Sequence, residues 1–344
     1  MLNSWHDFRV RASQNPGRIV LADGEDPRVV EAAARAVEGR VADPVMVGKH
    51  SRIAPLWRKY SSAPAVPCID LEAFPGPERD CFIDELRRLA KYKALSKSEA
   101  EERLKDPLIL GCLYLRRGMA DGFVGGSTRT TADTLRAVFS IVGLARGSET
   151  LFGFFLMEKR STTGTNPFVL LADCAVTPDP SPKQLANIAI GAAAAFEYFT
   201  EESARVAVLS FSTKKSADHP MIAKVQETVA LARQKAPGLV LEGEWQADAA
   251  LDLATAQMKG VGDSPVAGQA NVLIAPDLNC GNIAYKLVQR LGGCRCVGPI
   301  LWGTARPAND LSRGCSSDDV LDMLALTSLQ IRKTMPVEKP TYAR

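Results

Sequence analysis

Three clusters of hydroxyl and charged side chains in this chain could do chemistry. The densest is Asn309-Asp310-Leu311-Ser312-Arg313-Gly314-Cys315-Ser316-Ser317-Asp318-Asp319, which leads into an apolar helical pattern of Val320, Leu321, Leu324 and Ile331. The planar fork of Arg313 suits phosphate. A carboxylate close by, such as Asp319, could take a proton as a general base. The same residues also spell a helix start, because Ser316 with Asp319 three positions later is a capping box. Cys315, beside an arginine and near that helix start, could be an activated thiol or a small packing residue.

The second cluster is Gly125-Gly126-Ser127-Thr128-Arg129-Thr130-Thr131-Ala132-Asp133-Thr134-Leu135-Arg136. It reads as a strand end, two glycines that let backbone approach a ligand, and hydroxyls opening a helix whose free N–H groups favour an anion. Arg129 and Arg136 share a face if both are helical; Thr130 with Asp133 is equally a cap. The third cluster, Leu209-Ser210-Phe211-Ser212-Thr213-Lys214-Lys215-Ser216, follows a strand and suits a phosphate-bearing ligand or an ordinary polar loop. Cys294-x-Cys296 has no second Cys pair or His near it, so alternation within a strand explains it better than zinc. Asp173 could line a cleft, whereas Asp179-Pro180 reads as turn chemistry.

The elements that must position these clusters alternate between strand and helix, the pattern of an α/β fold. Expected strands are 18–22, 44–47, 66–70, 122–124, 151–157, 168–172, 206–210, 271–275 and 297–301. Helical patterns are clearest at 130–142, 182–199, 221–234, 282–291 and 318–332, and Asp26-Pro27 starts another after the first strand. Strands 151–157 and 168–172 are joined by the polar EKRSTTGTNP, which predicts an antiparallel hairpin inside a mostly parallel sheet. Arg146-Gly147-Ser148 suits a hinge, and the last helix would return to the first domain. The expected domains are therefore 1–146 with 302–344, carrying the catalytic loop and last helix, and 147–301.

Composition narrows the function. Lys+Arg is 42 and Asp+Glu 39 in 344 residues, a net charge of +3, too balanced for a nucleic-acid binder. No apolar run reaches the roughly 18 residues of a membrane span, and the start MLNSWHDFRV has no secretory h-region. Eight cysteines in so long a chain are not a disulfide scaffold, so a reduced, cytoplasmic protein is expected. Three histidines leave few candidates for a His base or His-rich metal site. The first strand is followed by DGEDP rather than G-x-G-x-x-G, and Gly48-Lys49-His50 lacks the P-loop spacing.

Several segments together resemble the phosphate acetyltransferase (phosphotransacetylase) family. They are NDLSRGCSSDD at 309–319 preceded by GPIL at 298–301, ADCAVTPDPSPKQLANIAI at 172–190, LSFSTKKSA at 209–217, GEWQADAAL at 243–251, PDLNCGNIAYKLVQRLGG at 276–293, and ADGEDPRVVEAA near the start. The resemblance follows the family's order along nearly the whole chain. It implies acetyl exchange between coenzyme A and phosphate, acetyl-CoA + phosphate ⇌ CoA + acetyl phosphate. It also implies two α/β domains like those of isocitrate/isopropylmalate dehydrogenases, an active-site cleft between them, and a homodimer. Coenzyme A is then a substrate, and no cofactor or metal is required.

Carried onto the matching motif, Asp319 would deprotonate the CoA thiol, Ser312 would position the reacting groups, and Arg313 would bind phosphate. Arg136 would be a second anion contact and Arg87 a further functional arginine. Ser127, Thr130, Lys214 and Cys315 complete the expected substrate-binding set. Departures from the family pattern are Arg129, Ala137, Lys215 and Trp302, the last bearing on acyl-pocket size. A phosphate acyltransferase for a longer chain such as butyryl, and a non-catalytic acyl-CoA-sensing oligomerisation domain, are the alternatives.

Overall fold

The computed structural model describes residues 4–74, 76–159, 167–214 and 216–334. The chain forms two compact units. One, the terminal unit, comprises Trp5–Arg146 and the chain from Thr304 onward; the other, the central unit, comprises Gly147–Gly303.

The terminal unit begins α1 (Trp5–Ser13), β1 (Gly17–Leu21), α2 (Pro27–Glu38), β2 (Ala42–Val47), α3 (His50–Tyr60) and β3 (Cys68–Ile69). Then come α4 (Gly76–Arg88), α5 (Lys97–Leu104), α6 (Pro107–Arg116), β4 (Gly122–Gly125) and α7 (Thr131–Ala137), which runs on as a π-helical turn over Val138–Val142. Among the described residues its sheet, completed by a late strand β11 (Ala308–Asp310), has the order β11-β4-β1-β2-β3, all parallel. Strands covered on both faces read as unbroken apolar runs, as Ile19–Leu21 and Val45–Val47 do. Asp26 caps α2, its side chain accepting from the Arg28 N–H with Pro27 in the first turn. The helix α6 buries Leu108, Ile109, Leu110, Cys112, Leu113 and Leu115, too many faces for a surface helix.

The central unit comprises β5 (Phe152–Glu158), β6 (Phe168–Ala172), α8 (Pro182–Thr200), β7 (Val206–Leu209) and α9 (Pro220–Lys235), followed by β8 (Leu241–Trp245), α10 (Ala247–Leu251), α11 (Leu253–Met258), β9 (Val272–Ile274), α12 (Leu278–Arg290) and β10 (Arg295–Trp302). Its strand order is β10-β5-β6-β9-β7-β8. The expected hairpin is there: β5 and β6 pair antiparallel, as do β10 and β5, and the other pairs are parallel. Most of the loop EKRSTTGTNP lies outside the described residues.

The chain then adds β11 (Ala308–Asp310) and α13 (Ser317–Thr334) to the terminal unit. Val320, Leu321, Met323, Leu324, Leu326 and Leu329 of α13 are buried. Asn309 donates to the Thr327 hydroxyl at 2.8 Å and to Gln330 at 2.6 Å, pinning β11 to that helix.

The structure adds elements to the sequence reading and changes the place of one residue. Strands β8 and β11 and helices α3 to α6 were not among the expected segments. Asp173 does not line an opening. It is 2% exposed, and its carboxylate accepts from the backbone of Gly153, Ala175, Val176 and Thr177, bracing the turn after β6. Its pKa is raised because burial outweighs those bonds.

Candidate active site at the strand ends of the terminal unit

From β1 the chain steps outward to β2 and β3, then returns to place β4 on the other side of β1. In an open parallel sheet such a reversal leaves a crevice at the carboxyl ends of the two strands, the usual ligand position. Here the reversal lies between β1 and β4, with β11 next in line. Asp310 pairs opposite Gly125, and Leu21 opposite Val124. Three loops therefore leave the sheet side by side: 22–26 after β1, 126–130 after β4 and 311–316 after β11.

These loops are tied by charge-assisted hydrogen bonds, each worth roughly 1.5–3 kcal/mol in general. The Asp23 carboxylate accepts from the backbone N–H of Gly126 at 2.7 Å and of Ser127 at 3.0 Å, and from the Thr128 hydroxyl. Asp26 accepts from the Ser127 hydroxyl at 2.9 Å and from Arg28 Nη2 at 2.6 Å. Burial opposes ionisation of Asp26, yet the bonds from Arg28 and Ser127 hold it below the usual carboxylate range. Arg28 also donates to the carbonyls of Ser127 at 3.0 Å, Arg313 at 2.8 Å and Cys315 at 2.9 Å.

The third loop carries the residues that the sequence marks as a candidate reactive centre. Ser312 and Arg313 are exposed. The Arg313 guanidinium has no hydrogen-bond or ion-pair partner among the described residues. Asp319 lies in the first turn of α13. Its Oδ2 accepts from the Ser316 N–H at 2.8 Å and hydroxyl at 2.9 Å, and the Ser316 hydroxyl accepts from the Asp319 N–H at 3.2 Å. The capping box and the candidate base are thus one carboxylate: Oδ2 serves the cap, while Oδ1 has no hydrogen bond among the described residues.

Other expectations change. Cys315 is not an activated thiol: burial, only partly offset by the Arg28 charge, pushes it up to about 11. The Ser127 hydroxyl is not presented to a ligand, since the residue is 2% exposed and bonds to Asp26. The glycines accommodate protein rather than a ligand. Gly126 has φ +109°, and a Cβ there would collide with the Asp310 carboxylate; one at Gly125 would press on Ala22, Phe123 and Leu108. Thr130 caps α7, its hydroxyl donating to Asp133 at 2.7 Å and accepting from the Asp133 N–H. Arg129 lies outside the helix, so it does not share a helical face with Arg136.

Arg136 pairs with Asp133 at 2.8 Å and borders a cavity of ≈ 330 Å³ that is also lined by Lys91, Tyr92, Arg103 and Asp106. Arg87, exposed at the end of α4, donates to the Leu95 carbonyl at 2.9 Å. Lys214 belongs to the central unit, where its ammonium lies 4.7 Å from the Trp245 ring centroid and 3.5 Å from Glu242. Lys215 is outside the described residues. Ser212 and Thr213 turn inward to Glu244 and Gln246. The Trp302 ring packs at 6.1–6.3 Å from Phe154, Tyr198 and Phe199. Among the described residues no group of three or more His, Cys, Asp or Glu side chains could hold a metal ion.

The sequence reading gives no individual role to Arg28, Asp23 or Asp310, although Asp310 stands in the 309–319 cluster and the other two in ADGEDPRVVEAA. The signal for the first two was the acidic, proline-started turn DGEDPR after β1. Only the sheet order shows that it faces the other two loops.

The sequence matches the family described as phosphate acetyl/butaryl transferase over residues 6–328. The chain belongs to the phosphate acetyltransferase family. It is 41% identical over 323 residues to the phosphate acetyltransferase of Thermoanaerobacterium thermosaccharolyticum, covering 93% of this chain and 97% of that one. To the Paracoccus denitrificans phosphate acetyltransferase it is 39% identical over 316 residues, covering 91% and 95%. A phosphotransacetylase structure from Streptococcus pyogenes superposes with a TM-score of 0.84 at 35% identity, covering 96% of this chain and 98% of that chain. Family membership agrees with the fold expected from the sequence, two α/β units with parallel and mixed sheets.

Proposed function

We propose that the loops after β1, β4 and β11 hold the reacting groups of a phosphate acetyltransferase. The reaction is the reversible transfer of an acetyl group between coenzyme A and inorganic phosphate. In the direction of acetyl-CoA synthesis, Asp319 takes the proton of the CoA thiol, which is mostly protonated at neutral pH. The thiolate attacks the carbonyl carbon of acetyl phosphate; a C–S bond forms, the bond from that carbon to the bridging oxygen breaks, and phosphate leaves with that oxygen and the bonding pair. Arg313 receives the charge of the leaving phosphate, and Ser312 positions the reacting groups.

The single observation that carries this reading is the exposed guanidinium of Arg313, without a partner among the described residues, on the short loop that leads into the first turn of α13, where the Asp319 carboxylate lies. The high pKa of Cys315 favours direct transfer between two bound substrates over an acyl-enzyme on that thiol. Arg136, which shares its cavity with Lys91 and Arg103 and with the carboxylates of Asp106 and Asp133, is a proposed anion contact, and Arg87, Thr130 and Lys214 are further proposed contacts to coenzyme A. Ser127 and Cys315 serve the site by shaping its walls. A homodimer is proposed on the family resemblance. A cytoplasmic setting is supported by eight cysteines that are all free; no helix among the described residues is long and apolar enough to cross a membrane.

The test is to mix purified protein with acetyl phosphate and CoA and follow thioester absorbance. Asp319→Asn preserves the side-chain oxygen that the cap needs and removes the base, so turnover should fall by at least about 10²-fold with thermal stability little changed. A near-wild-type rate would leave Asp319 with its capping role alone.

A further inference from the structure

We infer that Arg28 is a positioning residue for the acetyl transfer, the clamp that holds the Ser312–Cys315 loop in its working shape. The inference rests on the proposed roles of Ser312 and Arg313. Between the buried anchors Leu311 and Cys315 the chain exposes Ser312, Arg313 and Gly314 in succession. Within the loop, Gly314 N–H donates to the Ser312 hydroxyl at 3.3 Å and Cys315 N–H to the Ser312 carbonyl at 3.0 Å. These bonds shape the turn but fasten it to nothing else. At its start, Leu311 N–H donates to the Gly125 carbonyl at 2.7 Å. Beyond that point, the described hydrogen bonds reaching residues 312–315 from elsewhere in the protein come from Arg28, to the carbonyls of Arg313 and Cys315.

Arg28 can do this because its own position is fixed twice. Pro27 and the Asp26 cap set the backbone of the first turn of α2. Asp26 then holds the guanidinium with bonds at 3.1 and 2.6 Å to its two oxygens, which also raises the arginine pKa. Nη2 divides its donors between Asp26 and the Ser127 carbonyl, and Nη1 between the two loop carbonyls. One planar group thus joins the loops after β1, β4 and β11. A lysine at this position would keep the charge beside Asp26, but its compact ammonium cannot reproduce a fork spanning four residues. The expected consequence of losing the clamp is an Arg313 that no longer sits where the phosphate leaves. Misplacement of that kind is costly to the chemical step and light on a substrate held elsewhere.

The experiment compares wild type with Arg28→Lys and Arg28→Ala, measuring steady-state kinetics with acetyl phosphate and CoA alongside amide hydrogen exchange of residues 311–316. In Arg28→Lys, kcat should fall by at least about 10-fold and KM for acetyl phosphate should rise, with KM for CoA within about twofold. Exchange in 311–316 should speed up while α8 in the central unit stays protected. Arg28→Ala should show a larger loss, and guanidinium ion added to it should restore part of the rate without accelerating wild type. A folded Arg28→Lys with wild-type kcat and KM overturns the inference even if Arg28→Ala fails to fold. So does unchanged exchange in 311–316. The two readings fail differently: a wild-type protein that makes no acetyl-CoA refutes the roles given to Ser312 and Arg313, whereas an active wild type matched by Arg28→Lys refutes the clamp alone.

Discussion

Asp310 shows what a single residue contributes at the edge of this site. Its Oδ2 accepts from the Thr131 hydroxyl at 2.7 Å, its Oδ1 is buried without a hydrogen bond among the described residues, and Gly126 leaves it room by lacking a Cβ. Burial pushes its pKa up to about 7, and the neighbouring Asp23 charge adds to the rise against the lowering effect of Thr131. A carboxyl that binds its proton more tightly when folded adds stability that is fully present below the unfolded value, here near 3.8, and is lost as pH rises through about 7. Asp310→Asn removes that dependence. In chemical denaturation between pH 4 and 8, the stability of wild type relative to Asp310→Asn should decline as pH rises to about 7, by at most about 1.4 kcal/mol per pH unit, then level off. Parallel pH profiles would show that Asp310 is already ionised in the folded protein.

At the scale of elements, the start of α13 does two jobs with one pair of side chains. Ser316 satisfies the Asp319 N–H and at the same time holds the Asp319 carboxylate. Orphan N–H groups at a helix start need such partners, and α13 is buried along much of its length, so fraying there exposes core. Ser316→Ala should lower the unfolding free energy by about 1 kcal/mol with an unchanged denaturant slope; an unmoved urea midpoint would mean that the cap contributes nothing. The cap formed by Ser316 and Asp319 was legible in the sequence, and the geometry shows that the carboxylate proposed as base is the one that serves it. Strands β8 and β11 were not legible. β8 is the edge strand Leu-Glu-Gly-Glu-Trp, with two glutamates and a glycine among its five residues, and β11 is only Ala308–Asp310. Neither carries an apolar run, so each is a strand only because a neighbour offers a ladder to pair with.

For the molecule as a whole, the acyl group is the open chemical variable. Trp302 was singled out as a bulky departure, and its ring is engaged with Phe154, Tyr198 and Phe199 in the central unit. In a series of acyl phosphates from acetyl to butyryl, kcat/KM should be highest for acetyl and fall with each added methylene, by up to about 10–200-fold per step. A maximum at butyryl would make this a longer-chain acyltransferase.

The amino-acid order alone determined that the chain alternates strand and helix and that β5 and β6 form a hairpin, and it marked NDLSRGC with the following acidic turn as the candidate site. Those signals are local: apolar period, turn residues and capping pairs act over a few positions. The tertiary structure decided which loops meet. Arg28 lies 285 positions from Arg313 and 99 from Ser127, and no local rule relates them. They touch because β1, β4 and β11 are neighbours in a parallel sheet, which brings their carboxyl ends together however far apart they lie along the chain. Burial at that junction also sets which groups titrate. It holds the Cys315 thiol protonated and raises Asp310, because removing water penalises charge according to position in the fold rather than residue type.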